Sequence, residues 1–399
     1  MLVMKIAFLT AGGLAPCLSA SIGALIQHYN KLAPHAELMG YLNGFRGLLL
    51  GNSIVIPESV KQNSELLLHF GGSPIGNSRV KLTNVKDCIK RGYVAEGEDP
   101  IQSAGNQLIR DKVTILHTIG GDDTNTMAGE LSKYLISQGY DLTVVGLPKT
   151  VDNDVYPIHL TLGASTAAEQ GATFFENIVN ENTTSTRQLI IHEVMGRHCG
   201  WLTAQTAREY RQKLSNKSFL PEILITKDRW DLDAIYIPEM SFDFQDEVER
   251  LKKRMDAKDG VNIFLSEGAV IGTIVNEKEA SGEVVDRDAF GHVRLDYINP
   301  GEWFAKRFSE SLEADKVLVQ KSGYFARSAA PNKKDLKLII RSAQLAAEKG
   351  LNGESGVVGL DQDNSNELTL IDFKRIKGGK PFDSSTPWFQ EMLKEIGQR

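Results

Sequence analysis

Eight short apolar runs, KIAFLT, AELMGYL, VTILHTI, DLTVVGL, QLIIHEVM, EILIT, NIFLSE and KVLVQ, recur between turn-forming residues, and each reads as a buried strand. Runs with so little polar alternation suit strands covered on both faces. Amphipathic stretches lie between several of them, among them CLSASIGALIQHYNKL and LKLIIRSAQLAAEKG, the latter with a helix-ending signal at Gly350. Strands alternating with helices predict an α/β fold with mostly parallel sheets, whose ligands sit at the carboxyl ends of the strands. At 399 residues the chain suits two domains, or one large doubly wound unit with elaborations, and a bilobal enzyme is expected. The segment KDRWDLDAIYIPEMSFDFQDEVERLKKRMDAKDG is denser in charge and is predicted as mostly surface helix and loop.

Bulk properties narrow the partners. The net charge is −6, from 45 basic and 51 acidic residues, with no basic block that could track a nucleic-acid backbone. Nucleic acid is therefore not an expected partner, whereas a small anion held by a few convergent Arg and Lys residues is. Cys17, Cys88 and Cys199 form no CxxC pair, which fits a reducing cytoplasm better than a disulfide framework. The opening MLVMKIAFLTAGG has an apolar run too short for a signal sequence, and no segment approaches a membrane span, so no membrane partner is expected.

Neither GxxxxGK[ST] nor GxGxxG occurs. Phosphate binding therefore falls to other glycines: Gly12-Gly13 after KIAFLTA, Gly71-Gly72 in FGGSPIGNSR, and Gly120-Gly121 after VTILHTI. Glycine lets backbone N–H groups approach phosphate oxygens, and a following helix start favours negative charge, although any one pair alone reads first as a tight turn. Met127, Leu131, Tyr134 and Leu135 share a helical face, which places Asp122 and Asp123 at that helix's start. One carboxylate there is explained as a cap or dipole partner; a second adds repulsion unless a cation or a selectivity role uses it. In LPKTVDNDVYP, Lys149, Asp152 and Asp154 gather a cation and two carboxylates after a strand, beside Thr150 and Asn153, where an exposed acidic turn is the plainer reading. In HEVMGRHCGWL, Arg197 follows a strand and a glycine, and its planar fork matches phosphate. His192, Glu193 and His198 lack the helical spacing of a zinc site.

Taken together and in this order, GGDDT, PKTVDND and MGRHCGW resemble the phosphofructokinase family, and within it the pyrophosphate-dependent kind. The likeness covers most of the chain, from AGGLAPCLSASIGALI through GGSPIGNSR, SEG and GYFARS to NGESGVVGL. It implies two doubly wound lobes with the active site in the cleft between them: residues 1–160 with 325–375 as the donor lobe, and 161–324 with 376–399 as the sugar-phosphate lobe. The implied reaction moves a phosphoryl group from pyrophosphate onto the C1 hydroxyl of fructose 6-phosphate, with Mg²⁺ as cofactor, in a homodimer or homotetramer.

The residue roles follow from the same resemblance. Gly13 and Arg79 would hold the donor's phosphates and Asp122 the Mg²⁺. Asp152 would accept the C1 hydroxyl proton, with Asp154 supporting it, and Thr150 and Val151 would contact substrate. Arg197, beside Met195 and Gly196, would stabilise the moving phosphoryl group. Glu267 would bind sugar hydroxyls, with Tyr324 and Arg327 near the 6-phosphate. Tyr324 replaces the His that ATP users of the family carry, and Gln188 and Leu318 fall nearest two Arg positions that those enzymes supply from a neighbouring subunit. Arg187 and Lys316 or Lys321 are the basic residues close by. Where ATP users have Gly after the metal-binding Asp, this chain has Asp123, whose side chain would fill the space of the α-phosphate and repel it. Lys149 would balance Asp123 and bind the leaving phosphate. The competing readings are an ATP-dependent kinase of the same fold, against which Asp123 argues, and a non-catalytic sugar-phosphate-sensing subunit, against which Asp122, Asp152 and Arg197 argue.

Overall fold

The computed structural model describes residues 4–286 and 298–398. Two compact units emerge, Met1–Ala167 with Arg327–Lys380, and Ala168–Ala326 with Pro381–Arg399. These seams fall a few residues beyond the expected 160, 324 and 375. One reason is that residues 376–380 pair with Tyr156 and Asp154 of the first unit.

The first unit carries a seven-stranded sheet in the order β11-β10-β5-β4-β1-β2-β3. Its strands are β1 (Lys5–Thr10), β2 (Glu37–Tyr41), β3 (Ser53–Val55), β4 (Ile115–Gly120), β5 (Thr143–Pro148), β10 (Gly356–Asp361) and β11 (Glu367–Ile371). All pairings are parallel except the two edges, β2 with β3 and β10 with β11. β4 and β5 are buried at every position, as their unbroken apolar runs require. Helices Leu18–Leu32, Pro100–Asp111, Asp122–Ser137 and Lys333–Leu351 belong to this unit. Asp99 and Asn332 cap two of them by accepting backbone N–H groups of the first turn.

The second unit holds a four-stranded parallel sheet in the order β7-β8-β6-β9, with β6 at Gln188–Val194, β7 at Ala234–Tyr236, β8 at Gly260–Ser266 and β9 at Lys316–Lys321. Its core joins Phe175, Tyr210 and Phe264 edge to face.

The structure corrects four readings of the sequence. EILIT is not a buried strand: Pro221–Ile223 forms a 3-10 turn, Leu224 takes φ +67°, and Ile223 and Leu224 are exposed. Pro221 removes a donor, and among the described residues one Leu220–Ile225 bridge is all the pairing that remains. Conversely, DAIYI, inside the charge-dense segment, supplies the fully buried β7. KVLVQ is an edge strand and only half-buried. Gly350 does not end its helix, which runs on to Leu351 before Gly353 takes φ +76°. Gly350 is instead a packing position, where an added methyl would stand 2.7 Å from the Tyr29 hydroxyl.

Candidate active site

In the first unit the strand order reverses between β1 and β4, the point at which doubly wound sheets take ligands. β1, β4 and β5 are neighbours in register there, Thr10 opposite Ile119 and Gly120 opposite Pro148. The loops leaving their carboxyl ends line a cavity of about 320 Å³.

From β1, Gly12 takes φ +89°, its N–H donates to the Ser78 carbonyl (2.9 Å), and its carbonyl accepts from Asn77 Nδ2 (2.7 Å). The glycine turn is thus tied to the segment that carries Arg79. A methyl on Gly13 would overlap Arg327 Nη2 and stand 3.6 Å from Arg79 Nη2, so both guanidinium groups approach bare backbone at this position. Arg327 Nε also donates to the Leu14 carbonyl at 2.9 Å. From β5, the buried Lys149 ammonium donates to the Gly13 carbonyl at 2.5 Å. Burial, and then the nearby Arg327 and Arg79 charges, bring its pKa down to about 8, against the pull of Cys17 and Asp154. Three cationic side chains converging on one glycine turn repel one another, and an anion between them relieves that repulsion.

From β4, helix Asp122–Ser137 starts with both carboxylates in its first turn, and Asn125 Nδ2 holds the turn through the Gly120 and Gly121 carbonyls (3.1 and 2.8 Å). Burial raises the Asp122 carboxyl above its ordinary range, and the Asp123 and Asp154 charges push the same way. Asp123 is exposed and ion-paired with Lys81, which lines the same cavity. Beyond Lys149, Thr161 Oγ1 donates to the Thr150 carbonyl (2.8 Å), and Asp152 N donates to Thr150 Oγ1 (3.2 Å). Asn153, buried at φ +55°, donates to the His159 carbonyl (3.0 Å) and accepts from Thr161 N (2.9 Å). The Asp152 and Asp154 positions therefore flank an anchored residue, and both line the cavity with Thr150 and Val151. Among the described residues no three His, Cys, Asp or Glu side chains stand at metal-ligand spacing. The oxygen donors suit a hard divalent ion that keeps waters and shares substrate phosphates, rather than an ion in an all-protein cage.

The second unit repeats the plan, with β6 and β9 at its own reversal of strand order. Past the carboxyl end of β6, Gly196 takes φ +129°; its N–H donates to Glu267 Oε1 (3.3 Å) and its carbonyl accepts from Ser266 Oγ (2.5 Å). Glu267 N donates back to the Val194 carbonyl (2.8 Å), and a methyl on Gly268 would overlap the Arg197 carbonyl. Met195 stands against Gly323 beyond β9, and Tyr324 beside it is 85% exposed. Met195, Gly196, Arg197, Glu267 and Gly323 thus gather at one end of one sheet.

The sequence model of the family described as phosphofructokinase matches residues 5–349. The chain belongs to the phosphofructokinase family. It is 56% identical over 394 residues to a pyrophosphate--fructose 6-phosphate 1-phosphotransferase of Methylotuvimicrobium alcaliphilum, a match covering 99% of this chain and 96% of that one. It is 53% identical to the protein of the same name in Mastigamoeba balamuthi, over 100% of this chain and 97% of the other. A solved pyrophosphate-dependent phosphofructokinase from Marinobacter aquaeolei shares the fold, with a TM-score of 0.70 at 20% identity, covering 100% of this chain and 92% of that chain.

On this phosphofructokinase framework the structure revises several expectations. Arg327, expected near the sugar 6-phosphate with Tyr324, has its guanidinium in the glycine-turn cavity of the first unit, where Nε donates to the Leu14 carbonyl. The cation paired with Asp123 is Lys81 rather than Lys149, whose ammonium is taken by the Gly13 carbonyl. Lys81 had a sequence signal that went unread: it stands two residues after Arg79. Of the basic residues near the missing Arg positions, Arg187 is held by Asp256 and by the Leu312 and Glu313 carbonyls, and Lys316 pairs with Glu181 (3.0 Å), both at the amino ends of their strands. Lys321 alone of the three lies at the carboxyl end of β9, half-exposed and 2.8 Å from the buried Glu193.

Proposed function

We propose that this phosphofructokinase transfers a phosphoryl group reversibly between pyrophosphate and the C1 hydroxyl of fructose 6-phosphate, giving fructose 1,6-bisphosphate and phosphate. The observation that carries this reading is the exposed Asp123 carboxylate, paired with Lys81, in the cavity where Arg79, Lys149 and Arg327 converge on the Gly13 turn, a charge pattern that would accept a compact diphosphate and oppose a longer phosphate chain. The names of relatives at 52–56% identity over nearly the full length support it.

In the first unit, the donor unit of this proposal, Gly13 N–H, Arg79, Arg327 and Lys149 bind and orient the diphosphate, with Lys81 holding Asp123 in place. Mg²⁺ held through Asp122 would neutralise charge on donor oxygens. Asp152 takes the proton of the attacking hydroxyl, and Asp154 and Thr150 fix its surroundings. In the second unit, Glu267 binds sugar hydroxyls, Met195 and Gly196 shape that site, and Arg197 stabilises the transferring group with a charge that needs no reorganisation. Tyr324 and Lys321 are the groups assigned to the 6-phosphate.

A cytoplasmic location is part of this proposal and fits the burial of Cys17, Cys88 and Cys199. A homodimer or homotetramer fits the exposed apolar Leu220, Ile223 and Leu224, and light scattering would reveal it. Phosphorus NMR tests the reaction itself. Pyrophosphate and fructose 6-phosphate should give fructose 1,6-bisphosphate and phosphate in equal amounts, and those products should regenerate pyrophosphate. Release of phosphate without the sugar bisphosphate would contradict the proposal.

A further inference from the structure

Beyond β11, after the turn Phe373–Arg375, the chain returns across the first unit as IKGGKP, a stretch to which the sequence reading gave no role. Ile376 is buried with Val155, Ile158, Val357 and Ile371. Lys377 and Tyr156 exchange backbone hydrogen bonds of 3.0 and 2.8 Å, Lys380 N donates to the Asp154 carbonyl (2.9 Å), and Lys380 Nζ donates to the Ile158 carbonyl (2.5 Å). The strap is therefore stitched along the turn that carries Asp152 and Asp154. It is also fixed to the helix that begins at Asp122: a methyl on Gly129 of that helix would stand 3.0 Å from Phe373. Between the stitches, Gly378 runs directly against the Asp122 side chain. A methyl built there would overlap Asp122 Oδ2 and lie 2.5 Å from Cγ. Only a glycine lets the strap pass this close, although Gly378 is not among the glycines at positive φ.

We propose that the Ile376–Lys380 strap is a positioning element for the Asp122 carboxylate, with Gly378 as its point of contact, so that the strap sets how Asp122 presents its oxygens to the divalent ion of the donor. The inference rests on the proposed pyrophosphate chemistry and deepens it. The group that yields to a methyl at Gly378 is the end of a short side chain rather than backbone. The substitution is therefore expected to displace the carboxylate first, with Asp122 Cβ, 3.2 Å from the added methyl, giving by a few tenths of an ångström.

The test compares the full-length wild type with Gly378→Ala, Asp122→Ala and the double variant. Mn²⁺ binding in the presence of pyrophosphate is read by paramagnetic relaxation, alongside melting temperature and steady-state rates. Gly378→Ala is expected to weaken Mn²⁺ binding about tenfold, the lower end for groups that orient a metal ligand. The KM for magnesium pyrophosphate should rise while the KM for fructose 6-phosphate and the melting temperature hold. Added to Asp122→Ala, Gly378→Ala should cost nothing more, because the group it displaces is already gone. Wild-type Mn²⁺ binding in Gly378→Ala, losses that multiply in the double variant, or a fall in melting temperature that persists there would each overturn the inference. A wild type without pyrophosphate turnover, in which Gly378→Ala still weakens the Mn²⁺ complex, would overturn the proposed reaction and leave the positioning role standing. A wild type that binds no Mn²⁺ with pyrophosphate would overturn both.

Discussion

Donor choice is proposed to turn on Asp123, an exposed carboxylate that pairs with Lys81 in the cavity at the Gly13 turn. Restraint matters because a free side chain could rotate away from an incoming α-phosphate, whereas an ion-paired one resists displacement. Asp123→Gly combined with Lys149→Gly is therefore expected to weaken pyrophosphate use and open some use of ATP, measured as kcat/KM for each donor. An unchanged donor preference would show that Asp123 does not act by filling that space. Asp152→Asn is expected to lose turnover by at least about 10²-fold with substrate binding largely kept, as removal of a general base does; near-normal turnover would exclude Asp152 from that role. Lys149 sets a pH limit. With a pKa brought down to about 8, its ammonium is present below that pH and lost above it. Pyrophosphate affinity should consequently fall as pH rises through 8, and Lys149→Met should remove that component while leaving the titration of pyrophosphate itself unchanged.

At the scale of elements, packing explains what was legible. β1, β4, β5, β6 and β8 are central strands covered on both faces, so their apolar runs stand out with little ambiguity. EILIT has the same composition but no sheet neighbour, and Pro221 turns it outward. β7 is as buried as any strand, yet its three residues are flanked by Asp231, Asp233 and Glu239, and local charge density masked it. Gly350 looked like a helix stop because local propensity is blind to a distant neighbour. Tyr29, whose hydroxyl meets His117 Nε2 at 2.6 Å, lies over it from another helix. Gly350→Ala should accordingly destabilise the chain by about 1–3 kcal/mol, the range for overpacking, even though alanine favours a helix. Denaturant midpoints would measure this, and a stabilised variant would show that the Tyr29 contact yields freely.

For the whole molecule, each unit places its functional loops at the carboxyl ends of parallel strands where strand order reverses, so motifs that follow strands in the sequence become neighbours in space. This is why GGDD and PKTVDND, which follow β4 and β5 in the sequence, line one cavity, and why Gly196 of MGRH meets Glu267 past the end of β6. Contacts made by chain far away in sequence escaped a reading of the sequence: Arg327 at the Gly13 turn, and the strap of residues 376–380 against Asp122. The KGGK run carries no periodicity and no motif, and GYFARS, part of the family likeness, does not say which turn its Arg327 will meet. A pyrophosphate site guarded by a second carboxylate would draw on both kinds of residue. Its most direct test is formation of fructose 1,6-bisphosphate from fructose 6-phosphate with Mg²⁺, with pyrophosphate or ATP as donor in parallel. The expected result is product with pyrophosphate and none with ATP; product with ATP instead would contradict the role given to Asp123.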